Sequence, residues 1–582
     1  MPIRVILDFP DRHGSATRRV FRTPQRVVST DRHDRVAACL AAIEQDCEAG
    51  ATAIGFVSYE AAPAFDAAFR THASGTVPLL WFALFEQQHA APFTSGEPAE
   101  QSAWRSDTPR AEHAQAVARI HEEIAAGTTY QVNYTARLTR RHAGDPLAWY
   151  EVLRRAAGPG YHACIETDEW CVLSVSPELF FETDGLRIRT RPMKGTRPRG
   201  RFAEEDAELA DELRASPKER AENLMIVDLM RNDLGRIAQT GSVQVTSLYD
   251  VEKYPTVLQL TSTIEANLRT DCSLAQIMAA LFPPGSVTGA PKISTMRLIA
   301  ELERAPRGVY CGAVGVVERG RRVFNVPIRT IWLDRTSGLA EFGTGGGITA
   351  DSRAGAEYDE LLAKARVVSQ TWPEFELLET MRVENGTLVR QAQHLLRLEE
   401  SAEYFGFHFC ERSLQRALAG ARSESQGRTA RLRLLLTRDG DVRFELLPLD
   451  GLPAEPLVAL ARTGVDSSSP FLFHKTTNRA IYDVHLSAVP AVFDVLLYNE
   501  RGELTEFTRG NLVVELGGRC YTPPRACGLL AGVFRAELLR RGAVEERVLH
   551  KNEIAHAERI WFVNSVREWV PVVLDEGKGR VR

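Results

Sequence analysis

Two glutamates spaced three residues apart, Glu219 and Glu222, are the first residues of this chain that could perform chemistry. On a helix this spacing places both carboxylates on one face, which continues as an apolar stripe from Met225 to Leu229. An ionised pair that extends an apolar stripe needs a cation or another partner. Because Ser216-Pro217 opens the same helix with an N-cap and a first-turn proline, a capping role for Glu219 is the alternative.

A second predicted helix repeats this arrangement, with Glu357 and Glu360 three residues apart and Lys364 one turn further on. Two such helices facing a common cavity could hold one Mg²⁺, which binds few carboxylates and completes its shell with water and substrate oxygens. The alternative for the second pair is a solvated ion pair between Glu360 and Lys364. A magnesium site therefore requires that the two helices converge.

The segment from Arg187 to Arg201 contains seven basic residues interleaved with proline and glycine. Such runs are typical of nucleic-acid patches or solvated faces, but a formal net charge of -5 argues against a general nucleic-acid binder. We expect instead an ordered turn that binds a small dianionic substrate. The run from Gly343 to Gly347 could offer backbone amides to an anion, although it lacks the Gly-Lys-Ser/Thr of a phosphate-binding loop.

A lysine and a glutamate are the main candidates for chemistry in the second half of the chain. Lys475 follows an apolar lead-in from Pro470 to Phe473, which predicts a position at a strand end, and Glu506 lies in a strand-like stretch. The other polar candidates are His394 and Arg397, three apart on a predicted helix, and Asn564-Ser565 at the end of a predicted strand.

Length and composition indicate a multidomain globular protein. A chain of 582 residues is too long for one hydrophobic core, and 44% hydrophobic with 25% charged residues is ordinary for globular proteins. No apolar stretch approaches the ~18 residues that span a bilayer, and the first residues lack the layout of a signal peptide. The nine cysteines form no CxxC pair, which indicates reduced thiols. We therefore expect a cytoplasmic protein that binds neither membrane nor nucleic acid.

Changes in composition predict three segments, namely an N-terminal layer over 1–105, a second unit over 106–368 and a third over 369–582, with a linker from about Gln87 to Arg110. The local elements that the patterns predict are a strand near the start, a helix from Thr108-Pro109 to Gly127, an antiparallel meander over Cys311–Thr349, a helix over Asp351–Ser369, a strand over Phe375–Val383 and a hairpin over Arg431–Leu447 that turns at Asp439-Gly440.

Six motifs of the first half occur in the order and spacing of the chorismate-utilising enzymes. They are SVSPELF (174–180), RPMKGTRPRG (191–200), SPKERAENLMIVDLMRNDLGRI (216–237), FPPGSVTGAPK (282–292), VPIRT (326–330) and GTGGGITADSRAGAEYDE (343–360). The chain thus resembles a family that includes anthranilate, aminodeoxychorismate, isochorismate and salicylate synthases. The resemblance is strong over about 110–367 and looser over the N-terminal layer. It implies an α+β fold with a sandwich of antiparallel sheets and flanking helices.

Carried over by position, this resemblance implies that Glu222 and Glu360 ligate Mg²⁺, with Glu219 and Glu357 close by as catalytic carboxylates. The metal would neutralise the ring carboxylate of chorismate. The residues implied to hold or line the substrate are Thr288, Tyr310, Arg329, Gly345, Gly346, Gly347 and Lys364.

Lys194 distinguishes between members of the family. Anthranilate synthases usually carry alanine before the Gly-Thr of this motif, whereas aminodeoxychorismate synthases carry lysine, and a desolvated lysine can act as a nucleophile. The resemblance implies that Lys194 attacks C2 of chorismate with loss of the C4 hydroxyl, and that ammonia then enters at C4 and expels the lysine. Pairing of Lys194 with a substrate carboxylate is the alternative. Gln259 stands where many relatives carry histidine, and glutamine cannot exchange protons near neutral pH.

The second half resembles the class IV aminotransferases, most clearly in HKTTNR at 474–479. This likeness covers about 372–582 and implies a two-layered α/β fold that binds pyridoxal 5'-phosphate. By analogy, Lys475 holds the cofactor covalently and Glu506 keeps its pyridine nitrogen protonated. The residues implied to bind the phosphate are Arg397, Gly532, Val533 and Ser565.

The two resemblances together imply a chain that makes 4-aminobenzoate, a folate precursor, in two steps. Chorismate is aminated to 4-amino-4-deoxychorismate, which the second half converts to 4-aminobenzoate by eliminating pyruvate. The alternatives are an anthranilate-synthase-like unit fused to a branched-chain or D-amino-acid aminotransferase-like domain, and an inactive binding module. Because no cysteine lies in the Gly-x-Cys-x-Gly elbow of a glutaminase, we expect ammonia from a separate glutamine amidotransferase subunit. A homodimer formed through the pyridoxal-phosphate domain is a further hypothesis.

Overall fold

The computed structural model describes residues 3–11, 16–89, 103–365, 368, 373–575 and 580–581. The chain divides into two compact units, of which the first contains Met1–Arg199 with Ala210–Trp372 and the second contains Gly200–Leu209 with Pro373–Arg582. The division therefore falls within one helix, Ala203–Ala215, as well as near residue 372.

The first unit alternates helices with many short strands. Its helices are α1 (His33–Glu48), α2 (Arg110–Ala125), α3 (Pro146–Ala157), α4 (Ala203–Ala215, which crosses the division), α5 (Pro217–Gly235), α6 (Leu274–Leu281), α7 (Lys292–Leu302) and α8 (Ala354–Ala365). Its strands are β1 (Arg4–Pro10), β2 (Ala16–Arg22), β3 (Arg26–Thr30), β4 (Thr52–Val57), β5 (Leu80–Phe85), β6 (Arg105–Ser106), β7 (Gln131–Arg141), β8 (Tyr161–Glu166), β9 (Trp170–Ser176), β10 (Leu179–Asp184), β11 (Arg187–Arg191), β12 (Met193–Pro198), β13 (Gln244–Lys253), β14 (Val257–Asn267), β15 (Gly289–Ala290), β16 (Ala313–Glu318), β17 (Arg321–Asn325), β18 (Thr330–Asp334) and β19 (Leu339–Ile348).

Two antiparallel sheets form a sandwich in this unit. One sheet has the order β15-β7-β19-β18-β9-β8-β1-β2 with β6 beside β7, and the other has the order β12-β14-β11-β10-β17-β16-β4-β5-β3 with β13 beside β14. Apolar residues of both sheets, such as Phe56 and Val172, pack into one core between them. Helices α1, α5 and α6 cover the outer face of the second sheet, and α3 covers the first. The predicted sandwich with flanking helices is confirmed.

The ends of two helices differ from the prediction. Helix α2 begins at Arg110 with Pro109 as its N-cap, one residue later than predicted, because Pro109 keeps an extended ψ of 152° and so cannot be the first helical residue. Helix α8 covers Ala354–Ala365, inside the predicted range. Residues 366, 367 and 369 of that prediction, and 90–102 of the predicted linker, lie outside the described residues.

The predicted antiparallel meander over Cys311–Thr349 is wrong. Strand β16 pairs with β17 and β18 pairs with β19, but the two hairpins belong to different sheets. The connection from Val326 to Arg329 contains Pro327, which cannot donate to a ladder, and Arg329 adopts a left-handed φ of 51°. These two residues direct the chain from one sheet to the other.

The second unit has two sheets of different kinds. Its helices are α9 (Gln391–Phe405), α10 (Glu411–Glu424), α11 (Ala480–Ser487) and α12 (Val533–Arg540), and its strands are β20 (Leu377–Glu384), β21 (Thr387–Leu388), β22 (Thr429–Leu436), β23 (Val442–Leu447), β24 (Leu457–Leu460), β25 (Asp494–Tyr498), β26 (Leu504–Phe507), β27 (Gly510–Leu516), β28 (Arg519–Thr522), β29 (Glu545–Glu546), β30 (Arg559–Asn564), β31 (Glu568–Asp575) and β32 (Arg580–Val581).

The smaller sheet of this unit is antiparallel, in the order β21-β20-β22-β23. The larger one is mixed, in the order β26-β25-β24-β31-β30-β27-β28-β29 with β32 beside β31. Two of its parallel pairs flank β24, and a third joins β28 to β29. The predicted strand β20 and the hairpin of β22 with β23 are confirmed. Gly440 takes the left-handed φ of 94° that the turn between β22 and β23 requires.

The thiols of the chain are unpaired. All nine cysteines lie in the described residues and none forms a disulfide. Burial raises the pKa of Cys47, Cys171 and Cys311 to about 12, so these thiols stay protonated. In the part of the chain that the structure describes, no helix is both long enough and apolar enough to cross a membrane.

Candidate functional site

The two glutamate pairs meet at one site of the first unit. Ser216 caps α5 by accepting a hydrogen bond from the Glu219 amide, so the predicted N-cap is confirmed. The Glu219 carboxylate lies against β12, where a β-carbon at Gly195 would be 3.1 Å from Oε2. Helix α8 approaches β19 in the same way, since a β-carbon at Gly346 would be 3.4 Å from Glu357 Oε2.

The carboxylates of this site repel one another. Burial raises the pKa of Glu219 and of Glu222, and Glu360 and Glu357, respectively, contribute to these increases from the facing helix. Glu360 instead has a lowered pKa because Lys364 lies 2.7 Å from its Oε1, so the alternative ion pair of α8 is present.

Carboxylates that repel one another across a gap have the chemistry that a divalent cation neutralises, and their oxygens suit Mg²⁺. The donor set therefore fits the predicted metal. Within the described ranges, however, no three His, Cys, Asp or Glu side chains lie close enough to form a ready-made metal site. Binding of the ion would have to draw the pairs on α5 and α8 together.

Lys194 lies on β12 beside these carboxylates. Its basic segment forms strands β11 and β12, which both pair with β14, and not the predicted ordered turn. Burial lowers the pKa of Lys194, although Glu222 opposes this effect. A β-carbon at Gly347 would lie 3.3 Å from its Nζ, so the glycine leaves space at the amine. A lysine with a lowered pKa and free space at Nζ is suited to nucleophilic attack.

Glu178, which was not predicted from the sequence, is a further candidate at this site. Its side chain is 3% exposed and accepts a hydrogen bond of 2.6 Å from Ser286 Oγ. Burial raises the pKa of Glu178 to about 7, and Lys194 is among the groups that oppose the increase. A carboxyl group with this pKa can donate a proton near neutral pH.

The run from Gly343 to Gly347 is part of strand β19 and does not form a turn or a helix N-terminus. The whole run pairs with β7, whereas β18 pairs only with Leu339–Phe342, so in the described chain the other edge of the run is open. Lys364 Nζ donates to the Gly345 carbonyl at 3.1 Å. The run thus offers backbone groups along an open strand edge.

Close packing requires glycine at both ends of this run. A β-carbon at Gly343 would lie 2.2 Å from the Tyr310 ring, and one at Gly347 would lie 2.2 Å from Gln131 Nε2. Gln131 is 1% exposed, and its Oε1 has no hydrogen-bond partner among the described residues. Its amide therefore faces the same glycine as the Lys194 amine.

Gly343→Ala is expected to destabilise the first unit by roughly 1–3 kcal/mol, because the added methyl group overlaps the half-buried Tyr310 ring. Urea unfolding followed by tryptophan fluorescence measures the change. Gly235→Ala is the matched control, since nothing lies within 4 Å of its β-carbon position at the end of α5. Equal losses of stability in the two variants would contradict the packing argument.

Arg329 has surroundings that suit an anion-binding residue. Burial lowers the pKa of its guanidinium, which lies 5.9 Å from the ring centroid of Tyr254. In the described ranges no carboxylate forms an ion pair with Arg329. A half-buried cation without a counter-ion among the described residues favours a negatively charged ligand.

Three other residues singled out in the sequence have partners elsewhere. Thr288 donates its hydroxyl to the Pro284 carbonyl of its own loop at 3.1 Å. Tyr310 lines a cavity of about 120 Å³ beside Arg307. Gln259 accepts a hydrogen bond of 3.2 Å from Thr196 on the adjacent strand. These contacts give Thr288 and Gln259 structural roles.

The second unit contains a cavity of about 520 Å³ around Lys475. The residues predicted to bind a cofactor all line it, namely Arg397, Lys475, Glu506, Gly532, Val533 and Ser565. The predicted strand end at Lys475 is wrong, because Pro470 starts a short 3₁₀ helix, Pro470–Leu472, and Lys475 follows in an irregular segment. Burial lowers the pKa of Lys475 to about 8. This amine is partly neutral near physiological pH.

Glu506, on β26, is a buried carboxylate. It is 4% exposed and accepts hydrogen bonds from Tyr482 Oη at 2.9 Å and from the Leu530 amide at 3.2 Å. Burial raises the pKa of Glu506 to about 8. Among the described residues no cation forms an ion pair with it, so a protonated pyridine nitrogen fits here.

Arg397 belongs to a network that was only partly predicted. Its Nε and Nη2 donate to Glu379 at 2.8 and 2.7 Å, and His394 Nδ1 lies 2.6 Å from the same carboxylate. Although burial opposes ionisation, Arg397 and His394 lower the pKa of Glu379 to about 2. His394 Nε2 in turn lies 2.7 Å from Ser565 Oγ. The network fixes one side of the predicted phosphate site.

The other side of the predicted phosphate site is the first turn of α12. Gly532 is the N-cap of this helix and Val533 its first residue, so backbone amides that the helix itself leaves unpaired are available to an anion. A β-carbon at Gly532 would lie 1.9 Å from Asn511 Oδ1, so a larger residue there would displace the Asn511 amide. The cavity therefore has the lysine, the acceptor and the anion site that pyridoxal phosphate needs.

Comparison with known proteins gives two family matches. The model of the chorismate binding enzyme family matches residues 9–370, and that of the amino-transferase class IV family matches residues 376–574. Aminodeoxychorismate synthase component 1 of Klebsiella aerogenes is 43% identical over 271 residues, which are 46% of this chain and 60% of that protein. Anthranilate synthase component 1 3 of Haloarcula marismortui is 40% identical over 271 residues, 46% of this chain and 54% of that protein.

Among solved structures, anthranilate synthase component I from Streptococcus pneumoniae TIGR4 matches with a TM-score of 0.52 and 25% identity, over 64% of this chain and 92% of that chain. The chain spans about three fifths or less of the length of these curated relatives. Because relatives with both names match to a similar extent, overall identity does not distinguish between them.

Proposed function

Because the chain belongs to the chorismate binding enzyme family, we propose that its first unit replaces the C4 hydroxyl of chorismate with an amino group. The observation that carries this proposal is Lys194, a half-buried lysine whose pKa is lowered and which lies beside Glu178 and Glu222. An anthranilate-type reaction, the rival for this family, does not need a nucleophile at this position. The product of the proposed reaction is 4-amino-4-deoxychorismate.

Lys194 is the proposed nucleophile of the first step. Its neutral amine forms a bond to C2 of chorismate, the ring double bonds shift, and the C4–O bond breaks. The departing hydroxyl takes its proton from Glu178 and leaves as water. Ammonia then forms a bond to C4, the double bonds shift back, and the C2–N bond to Lys194 breaks, which regenerates the neutral lysine. The new ammonium group at C4 returns one proton to Glu178. Each exchange conserves charge and atoms.

Glu222 and Glu360 would hold Mg²⁺, with Glu219 and Glu357 nearby, and the ion would neutralise the ring carboxylate of the substrate. Arg329, Lys364 and the open edge at Gly345, Gly346 and Gly347 would hold the substrate's carboxylates. Tyr310 and Thr288 would complete the walls of the site. We also propose that residues 106–368 form the chorismate-binding domain, with 1–105 as its N-terminal layer.

For the second unit, residues 369–582, we propose elimination of pyruvate from 4-amino-4-deoxychorismate to give 4-aminobenzoate. Bound pyridoxal phosphate supplies an electron sink for this reaction. Lys475 takes the proton from C4, the C3–O bond breaks, and the enolpyruvyl group leaves as the enolate of pyruvate. This enolate takes up one proton at its methylene carbon, which balances the proton removed from C4 and gives pyruvate. Glu506 would hold the pyridine nitrogen, and Arg397, Ser565, Gly532 and Val533 the phosphate. Fusion to a unit that makes this amine supports the lyase reaction over transamination.

The proposed nitrogen source is ammonia from a separate glutamine amidotransferase subunit. The Klebsiella aerogenes relative is named component 1, a name that supports a second component. A homodimer formed through the pyridoxal-phosphate domain is proposed on the class IV match alone.

Incubation of the purified chain with chorismate, Mg²⁺ and an ammonium salt tests both reactions. The expected aromatic product is 4-aminobenzoate, with pyruvate in equal amount. Release of 2-aminobenzoate would refute the first proposal, whereas accumulation of 4-amino-4-deoxychorismate would refute only the second. Glutamine in place of ammonium should give no product without an added amidotransferase, and product formation from glutamine would contradict the expected partner.

Glu178→Gln is expected to slow amination by roughly 100- to 10,000-fold, because the amide cannot donate a proton to the departing hydroxyl. The pKa of Glu178 is raised to about 7 and the protonated form is needed, so the wild-type rate should fall as pH rises through about 7. Chorismate consumption with saturating ammonia, measured from pH 6 to 9, gives both results. Glu169→Gln, in an exposed turn, is the control. Retention of the falling limb in Glu178→Gln would assign it to another group.

A further inference from the structure

The cavity around Lys475 is strongly cationic beyond the residues proposed to bind the cofactor. Seven Lys or Arg line it against two Asp or Glu. Two of these cations, Arg397 and Lys475, belong to the proposed cofactor site. The other five are Arg431, Arg433, Arg479, Arg509 and Arg567.

These five arginines differ in their partners. Three have carboxylates of their own, at 2.8 Å for Arg433 with Glu445, 3.8 Å for Arg479 with Asp483 and 3.1 Å for Arg509 with Asp494. Arg431 and Arg567 form no ion pair in the described part of the chain.

The two arginines without ion pairs leave part of their hydrogen-bonding capacity unused. Arg567 donates to the backbone carbonyl of Asp450 at 2.8 Å. Arg431 Nε is buried without a hydrogen-bond partner among the described residues. Two guanidinium groups at one cavity wall with spare donors and no counter-ion favour an anionic ligand.

Arg431 and Arg567 lie close enough to interact electrostatically. Burial lowers the pKa of Arg567, and the neighbouring Arg431 and Arg509 lower it further, while Asp450 opposes them. Among the described groups that shift the pKa of Arg567, Asp450 is therefore the only carboxylate. An added carboxylate would relieve this repulsion.

The register of β22 gives the distance between Arg431 and the reactive lysine, Lys475. Leu435 on β22 is opposite Leu378 on β20, and the Leu378 amide donates to the Lys475 carbonyl at 2.9 Å. Arg431 is four residues from Leu435, which is about 13 Å along a strand. That separation leaves room for a ring between an amine that reacts at Lys475 and a carboxylate bound at Arg431.

We propose that Arg431 and Arg567 form a carboxylate subsite that selects a dianionic ring substrate over monoanionic amino acids. This inference rests on the proposed lyase function, whose substrate carries two carboxylates. The proposed phosphate site uses neither arginine, so both are available to the substrate. A guanidinium group can bind a carboxylate with two parallel hydrogen bonds, which fix the orientation of the carboxylate as well as neutralise its charge.

Binding of benzene-1,3-dicarboxylate to the pyridoxal-phosphate-loaded chain, followed by calorimetry, tests the subsite without turnover. Arg431→Gln and Arg567→Gln should each raise the Kd by about 10- to 100-fold, the usual effect of losing a charged hydrogen bond. The absorbance of the bound cofactor should not change in either variant. Arg416→Gln is the matched control, because Arg416 is exposed on α10 and does not line the cavity.

Wild-type affinity in both variants overturns the proposal, and so does failure of the wild-type chain to bind the dicarboxylate. If one variant does not fold, the other still decides, and Arg431→Lys should retain part of the affinity. A wild-type chain that binds the dicarboxylate but releases no pyruvate from 4-amino-4-deoxychorismate would refute the lyase reaction and not the subsite. The two failures are thus distinguishable.

Discussion

Lys194→Ala is expected to abolish amination of chorismate, with a fall in rate of roughly 10³- to 10⁶-fold, because the variant lacks the amine that forms the bond to C2. The reason is local, since burial lowers the pKa of Lys194 and the glycine at 347 leaves space at its Nζ. Chorismate consumption with saturating ammonia and Mg²⁺ measures the loss. Lys253→Ala, an exposed lysine on β13, should retain the wild-type rate.

The Lys194→Arg variant distinguishes a nucleophilic role of Lys194 from the alternative role, in which Lys194 pairs with a substrate carboxylate. An arginine keeps the positive charge but stays protonated, so it cannot attack C2. We expect Lys194→Arg to be as inactive as the alanine variant, with chorismate still bound. Substantial amination by the arginine variant would show that only charge is needed at this position.

Lys475→Ala is expected to stop the pathway at 4-amino-4-deoxychorismate. The variant loses the amine that removes the C4 proton, and it also loses the attachment point of the cofactor. Release of pyruvate should fall by roughly 10³-fold or more, and the absorbance of protein-bound cofactor should disappear. The rate of chorismate consumption should stay at the wild-type value, because Lys475 belongs to the second unit.

Lys551→Ala serves as the control for the second unit, since Lys551 lies over the ring of Tyr498 and does not line the cavity. It should leave both product and absorbance unchanged. Unaltered 4-aminobenzoate output from Lys475→Ala would disprove the assignment of Lys475, and a parallel loss of chorismate consumption would show that the two reactions depend on one another.

Local features of the structure were largely predictable from the sequence. The N-cap at Ser216, strand β20 and the hairpin of β22 with β23 follow from neighbouring residues, because caps, alternation and turns depend on short-range contacts. The predicted strand end at Lys475 failed because a proline can begin a 3₁₀ turn as readily as it can precede a strand.

Non-local features were missed for a physical reason. Glu178 becomes a candidate proton donor only through burial and through Ser286, which is 108 positions away in the chain. Glu379 likewise became part of the cofactor site because α9 brings Arg397 and His394 to it. The meander was wrong because alternation cannot tell which sheet a hairpin joins.

The glutamate pairs, together with Lys194 and Lys475, show what the sequence determines and what only the tertiary structure determines. The sequence by itself determined which residue types could do chemistry and on which kind of element they lie, since helical spacing and turn residues act over a few positions. Only the tertiary structure decided that α5 and α8 face each other and that Lys194 and Lys475 have lowered pKa values. It also decided that Arg431 and Arg567 line one cavity and form no ion pair with any described residue. Burial and electrostatic pairing depend on residues that are distant in the chain, and these fix the protonation state on which each proposed reaction depends.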